Sequence, residues 1–160
     1  MQAFDASSMI YAWDNYPLTQ FPGLWDWMAE QIEAENLVMS SVAFEEVENK
    51  TPDCAIWLKE HKLSRLDMTN EILQEAIRIK ELVGIVNDRY HPKGVGENDL
   101  FIIATAKIHN IALVSDEERQ LTLPNEPTKR KIPAVCAIPA VSVSCINFLE
   151  YLKHSGAVFR

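Results

Sequence analysis

The sequence predicts an α/β fold built around a buried parallel sheet, and three observations carry that prediction. From Gly96 to Glu117 the chain first places Phe101, Ile102, Ala104, Thr105 and Ile108 at helical spacing, then turns at His109-Asn110 into Ile111-Ala112-Leu113-Val114. That run is too short and too apolar for a second helix and suits a strand covered on both faces. A short strand followed by a helix also opens the chain at Gln2-Ala3-Phe4, and a second buried strand returns at Leu37-Val38-Met39. Finally, 160 residues, 48% of them hydrophobic and undivided by any Gly/Ser-rich linker, predict a single domain spanning residues 1–160.

Taken in order, the first strand ends on Asp5, and Ala6 to Asn15 is a helix with Met9, Ile10, Ala12 and Trp13 on one face. Tyr16-Pro17 stops it. Phe21-Pro22-Gly23 turns into an amphipathic helix carrying Leu24, Trp25, Trp27, Met28 and Ile32, whose tryptophans suit the core. After the Leu37–Met39 strand, Ser40-Ser41 is a turn or cap and Val42 to Lys50 a helix with Glu45 and Glu46 in its early turns. Thr51-Pro52-Asp53 restarts a short helix through Leu58, and Thr69-Asn70-Glu71 caps a longer one. This middle region reads as helical and peripheral. Asp88 to Gly94 is a polar loop, and Asn98 is expected as the N-cap of the next helix, which puts Asp99 in its first turn. Pro124 to Pro133 is a loop holding Lys129-Arg130-Lys131. Val141 to Cys145 alternates as a strand, and Ile146 to His154 is a last helix stopped by Gly156.

Charge narrows the functional classes. Fifteen Lys and Arg against 23 Asp and Glu give a net charge of −8, which opposes broad non-specific binding of polyanions. A nucleic-acid substrate then needs a metal ion or a local basic rim. Cys54, Cys136 and Cys145 are odd in number and lack metal-ligand spacing, so they read as small buried hydrophobes in a reducing compartment. His61, His91, His109 and His154 show no paired metal spacing either. No run approaches the roughly 18 apolar residues of a membrane span, and no basic segment leads into an apolar core at the N-terminus. A soluble, cytoplasmic protein without a membrane partner is the expectation.

The chemistry is expected where strands end. Strand-to-helix junctions and one helix start supply Asp5, Glu46, Asp99 and either Asp116 or Glu117, all on one edge of a parallel sheet, where α/β proteins gather functional groups. Clustered carboxylates raise one another's pKa and call for a cation. Hard oxygen ligands with room for water suit Mg²⁺ or Mn²⁺. Such ions lower the pKa of bound water and stabilise displacement at phosphorus. Against this stands the plainer reading, in which each acid is an N-cap or helix-dipole partner.

The order Phe4-Asp5-Ala6-Ser7-Ser8-Met9-Ile10, then Ser40-Ser41-Val42-Ala43-Phe44-Glu45-Glu46-Val47, then Asn98-Asp99-Leu100-Phe101-Ile102-Ile103-Ala104, then Leu113-Val114-Ser115-Asp116-Glu117 resembles the PIN-domain nucleases over nearly the whole chain. Within them it looks most like the bacterial toxin-like branch, including an uncharacterised stand-alone family that shares Phe-Asp-Ala-Ser-Ser and Cys-Ile-Asn-Phe-Leu-Glu-Tyr-Leu. The resemblance implies a three-layer α/β/α sandwich with a mainly parallel central sheet. It also implies Mg²⁺- or Mn²⁺-dependent RNA cleavage and a cognate antitoxin protein as partner, with homodimerisation open. Position by position, Asp5, Glu46 and Asp99 match the first three acidic ligands. The fourth is Glu117 by register behind Ser115, or Asp116 by side-chain type. Ser7 stands where the family often has Asn, in a supporting role with Ser115 and Asn98, and Glu45 reads as a solvated neighbour. Lys129, Arg130 and Lys131 could form an RNA-steering rim or a solvated loop. The reading from a different class is a non-catalytic binding protein that kept the fold and lost cleavage.

Overall fold

The strands Gln2–Phe4 (β1), Leu37–Ser40 (β2), Arg65–Leu66 (β3), Ala112–Val114 (β4) and Cys145–Ile146 (β5) form one all-parallel sheet. Their order is β3-β2-β1-β4-β5 in the computed structural model, which describes residues 1–160. Phe4 pairs with Val114 and Ala3 with Val38, so the apolar tripeptide at the N-terminus is the central strand. The ladder continues past the strand ends. Asp5 N–H donates to the Val114 carbonyl at 2.8 Å, and Ser115 N–H to the Ile146 carbonyl at 2.8 Å. The chain first builds outward from β1 through β2 to β3, then crosses back to add β4 and β5. The direction of winding therefore reverses between β1 and β4, where an open α/β sheet forms its crevice.

Eight helices cover the sheet to complete the three-layer α/β/α sandwich: Ala6–Asn15 (α1), Pro22–Glu33 (α2), Ser41–Lys50 (α3), Pro52–Glu60 (α4), Asn70–Leu82 (α5), Glu97–His109 (α6), Ile132–Cys136 (α7) and Phe148–Ser155 (α8). Local chemistry sets their ends. Ser40 Oγ accepts the Ala43 N–H at 3.1 Å to start α3, and Thr69 Oγ1 accepts the Ile72 N–H at 3.2 Å to start α5. Asn147 and Glu150 exchange hydrogen bonds as a capping box on α8, and Gly156 ends that helix at φ 67°. Fully buried Phe4 meets Tyr151 edge-on at 4.9 Å, which fastens α8 to the central strand. Trp13, Trp25 and Trp57 form a second aromatic cluster, and the Trp25 indole donates to the Tyr16 carbonyl at 2.7 Å. No helix is long and apolar enough to cross a membrane.

Four sequence expectations are corrected. Asn98 is not the N-cap of α6. Gly96 is, and Asp99 at the third helical position accepts the Gly96 N–H at 2.9 Å. The strand expected over Val141 to Cys145 begins only at Cys145, because Ser142 sits at φ 55°, outside any strand conformation; Val141 and Val143 are buried as loop residues instead. The last helix starts at Phe148, since Asn147 is committed to capping. The middle region is helical but not peripheral. It contributes the edge strand β3, and α5 buries Ile72, Ala76 and Ile79 while packing along α6. Two residues without apolar alternation gave no signal for β3.

Because Ser40 is 3% exposed and caps the helix that carries Glu46, Ser40→Ala is expected to lower unfolding stability by about 1 kcal/mol. A urea titration would read this as a lower midpoint at unchanged slope. An unmoved midpoint would remove the cap from the description of α3.

Candidate functional site

Asp5 leaves the sheet between β1 and α1 and is 2% exposed. Its Oδ2 receives two hydroxyls, Ser7 Oγ at 2.5 Å and Ser115 Oγ at 3.0 Å. Those hydroxyls in turn accept backbone N–H groups, Ser7 from Asp116 at 3.0 Å and Ser115 from Glu117 at 3.2 Å. Each serine thus spends its one proton on Asp5 and its lone pair on the segment after β4. Burial pushes the Asp5 pKa up, and the two serine hydrogen bonds oppose that by favouring the charged form.

Above Asp5 opens a cleft of about 550 Å³ lined by Glu46, Lys50, Gly96, Glu97, Asn98, Asp99 and Glu117, with no hydrophobic side chain among them. Glu46 arrives on α3, Asp99 in the first turn of α6 and Glu117 beyond β4. Burial, the main cause, raises all three carboxyls, and the charge of Asp5 raises them further. Asp99 is pushed up to about 6 by burial, against the Gly96 N–H, with Asp5, Glu117 and Glu46 adding repulsion. The Lys50 ammonium and the Asn98 amide pull Glu46 down, and Lys131 and then Lys50 do so for Glu117. Sequence reading missed Lys50, although its place four residues after Glu46 puts both on one face of α3.

Asp116 and Glu117 have separate roles in the structure. Asp116 Oδ1 accepts the Ser8 hydroxyl at 2.6 Å and the Phe148 N–H at 2.9 Å, which ties α1 and the start of α8 to the end of β4. Glu117 lines the cleft. Glu45 is exposed, as expected of a solvated neighbour. The basic run is largely occupied. Lys129 lies 3.9 Å from Glu126 and Lys131 3.4 Å from Glu118, while Gln120 holds the Lys129 carbonyl at 3.0 Å and the Lys131 N–H at 2.8 Å. The Arg130 Nε is buried without a partner.

No three His, Cys, Asp or Glu side chains converge closely enough to hold one ion by direct contact. Glu46, Asp99 and Glu117 nonetheless share one polar cleft, and the charge of the buried Asp5 acts on all three. Oxygen donors spread around a wet space fit a hard cation that keeps several of its waters, as Mg²⁺ does, better than a fully caged one.

The family model described as a domain of unknown function, DUF4411, matches residues 3–159. No curated protein matches this sequence. Two solved structures share the fold. The VapBC2 structure from Rickettsia felis, bound to a DNA fragment from its promoter, aligns at 18% identity over 91% of this chain and 97% of that chain, with a TM-score of 0.56. The FitAB structure bound to an IR36 DNA fragment aligns at 15% identity over 92% and 94%, with a TM-score of 0.53. Both likenesses are of fold, and the fold of this chain is PIN-like.

Two outcomes follow from this geometry. Asp116→Ala leaves Ser8 and the Phe148 N–H without their acceptor and should cost on the order of 1–3 kcal/mol, whereas Glu117→Gln should leave metal-free stability unchanged or raised. Chemical denaturation of the two variants in EDTA checks the ranking, and the reverse order would exchange their roles. Asp99, raised from 3.8 to about 6, disfavours folding progressively as pH climbs through the unfolded and then the folded value. In EDTA, Asp99→Asn should therefore exceed wild type in stability at about pH 7, by on the order of 1 kcal/mol after solvent screening, with the gap closing below about pH 4. Thermal melts across that range test it. A variant less stable at every pH would leave Asp99 as a helix cap alone.

Proposed function

The chain belongs to the DUF4411 family, and from its acidic cleft we propose that it is a divalent-cation-dependent endoribonuclease of the toxin-like PIN type, hydrolysing RNA phosphodiester bonds. The observation that carries the proposal is the meeting of Glu46, Asp99 and Glu117, from three separate parts of the chain, in one apolar-free cleft within electrostatic reach of the buried Asp5 at the β1/β4 reversal. Glu46, Asp99 and Glu117 would hold Mg²⁺ or Mn²⁺ in the cleft partly through the ion's own waters, with the charge of Asp5 beside them. When bound, the ion supplies a water of lowered pKa and charge stabilisation at phosphorus.

The chain's own groups do the rest. Ser7 and Ser115 keep the Asp5 carboxylate in one orientation and favour its charged form against burial. Asp99 lines the cleft and is fixed through its Oδ2 by the Gly96 N–H at 2.9 Å. With its pKa raised to about 6, it gives up a proton to an entering cation only near and below that pH, so cation binding tightens as pH rises toward about 6 and levels off above it. The likeness to the VapBC2 and FitAB toxin-antitoxin structures supports a cognate antitoxin as partner. The spacing of the carboxylates favours a second reading, a binding protein without cleavage.

One assay separates the two. Purified protein with a labelled single-stranded oligoribonucleotide should cut it in Mn²⁺ or Mg²⁺ and not in EDTA. Asp99→Asn and Glu117→Gln should each lower the rate by at least about 100-fold, beyond what the loss of a merely supporting residue costs, while Asp116→Asn, which keeps an acceptor oxygen, retains most of it. Binding without metal-dependent cleavage would decide for the second reading.

A further inference from the structure

Lys50 is the only cation among the residues lining the cleft, which otherwise presents Glu46, Glu97, Asp99 and Glu117. It sits in the last turn of α3, is exposed, and forms no ion pair within 4.0 Å. That freedom is unexpected, because a glutamate four residues before a lysine is the favoured order for a helical ion pair and Glu46 occupies that position. The other cation that acts on Glu117, Lys131, is already engaged by Glu118 at 3.4 Å. An acidic protein of charge −8 that is to bring a polyanion over four carboxylates needs a free positive group at the edge of that cleft.

We infer that Lys50 is the phosphate-contacting residue of this cleft, its ammonium taking a non-bridging oxygen of the RNA phosphodiester seated beside Glu46 and Glu117. The inference rests on the endoribonuclease reading for the identity of the ligand. A flexible four-carbon stem with three donors suits a backbone phosphate, which carries no sequence information, so Lys50 contributes affinity and placement without base preference. Its proximity to Glu46 and Glu117 gives it an opposite effect on cations: it competes with them for the same carboxylates.

The two effects make the test specific. Binding of a fluorescein-labelled single-stranded oligoribonucleotide is measured by anisotropy in Ca²⁺ across a salt series for wild type, Lys50→Ala, Lys50→Arg and the control Lys59→Ala, whose lysine pairs with Glu48 instead. Lys50→Ala should bind about 3- to 10-fold more weakly, with the salt slope reduced by about 0.7, the share of one phosphate contact on a single strand. Lys50→Arg should restore both, and Lys59→Ala should change neither. Mn²⁺ titrated alone should bind Lys50→Ala at least as tightly as wild type, which shows that the site is intact. Unchanged affinity and slope in Lys50→Ala would overturn the inference, as would a wild type that binds no oligoribonucleotide. Cleavage by wild type with an unaltered KM in Lys50→Ala would sink Lys50 and spare the nuclease reading. Lys50-dependent binding without metal-dependent cleavage would do the reverse.

Discussion

The structure turns on a buried carboxylate. Asp5 has almost no contact with solvent, and an ionised carboxyl in that setting is tolerable only when its oxygens are hydrogen-bonded. Two serine hydroxyls meet that need, one two residues away and the other 110 residues away. The second makes the solution architectural as well as local. Ser115 can reach Asp5 only if β4 lies beside β1 in the observed register, and the same hydroxyl then holds the backbone of Glu117. Asp116, in between, faces away from the cleft and is used by Ser8 and the first turn of α8. Three consecutive residues after β4 thus serve the buried acid, the helix packing and the cleft in turn.

Around that anchor the molecule accumulates like charge. Glu46, Asp99 and Glu117 are each disfavoured as anions by burial and by Asp5, and only Lys50 and Lys131 act against them from the cationic side. A site arranged for stability alone would pair these acids or expose them. Retaining them unpaired, on rigid elements, with polar walls and room for water, is the arrangement expected of groups waiting for a hard cation. The helix dipole contributes here as well, because Asp99 stands in the first turn of α6, where a negative charge is favoured.

Much of this was legible in the chain itself. The fully apolar runs at Leu37–Met39 and Ile111–Val114 allowed no solvent-facing side, which made a parallel sheet with helices on both faces the natural packing. Ser40, Thr69 and Gly156 marked helix ends by side-chain or backbone chemistry that acts within a few residues, and each does so in the structure. Asp5, Asp99 and Glu117 could be named because each follows a strand or opens a helix, and Glu46 because it lies early in the helix after β2; Glu97, which also lines the cleft, could not. What the sequence could not determine depends on contacts between distant segments. Neither Asp116 nor Glu117 reveals its direction until α1 and α8 are in place to claim one of them. Asn98 has good capping chemistry, but Gly96 caps because Asp99 reaches back to its N–H. The β-branched alternation at Val141 to Ser144 is overridden by the turn that Ser142 makes, and the two-residue strand at Arg65 exists only because β2 offers it an edge. Lys50 carried no signal beyond its spacing from Glu46. Only the fold, by bringing α3, α6 and the end of β4 to one opening, makes it the single cation among the residues lining an acidic cleft.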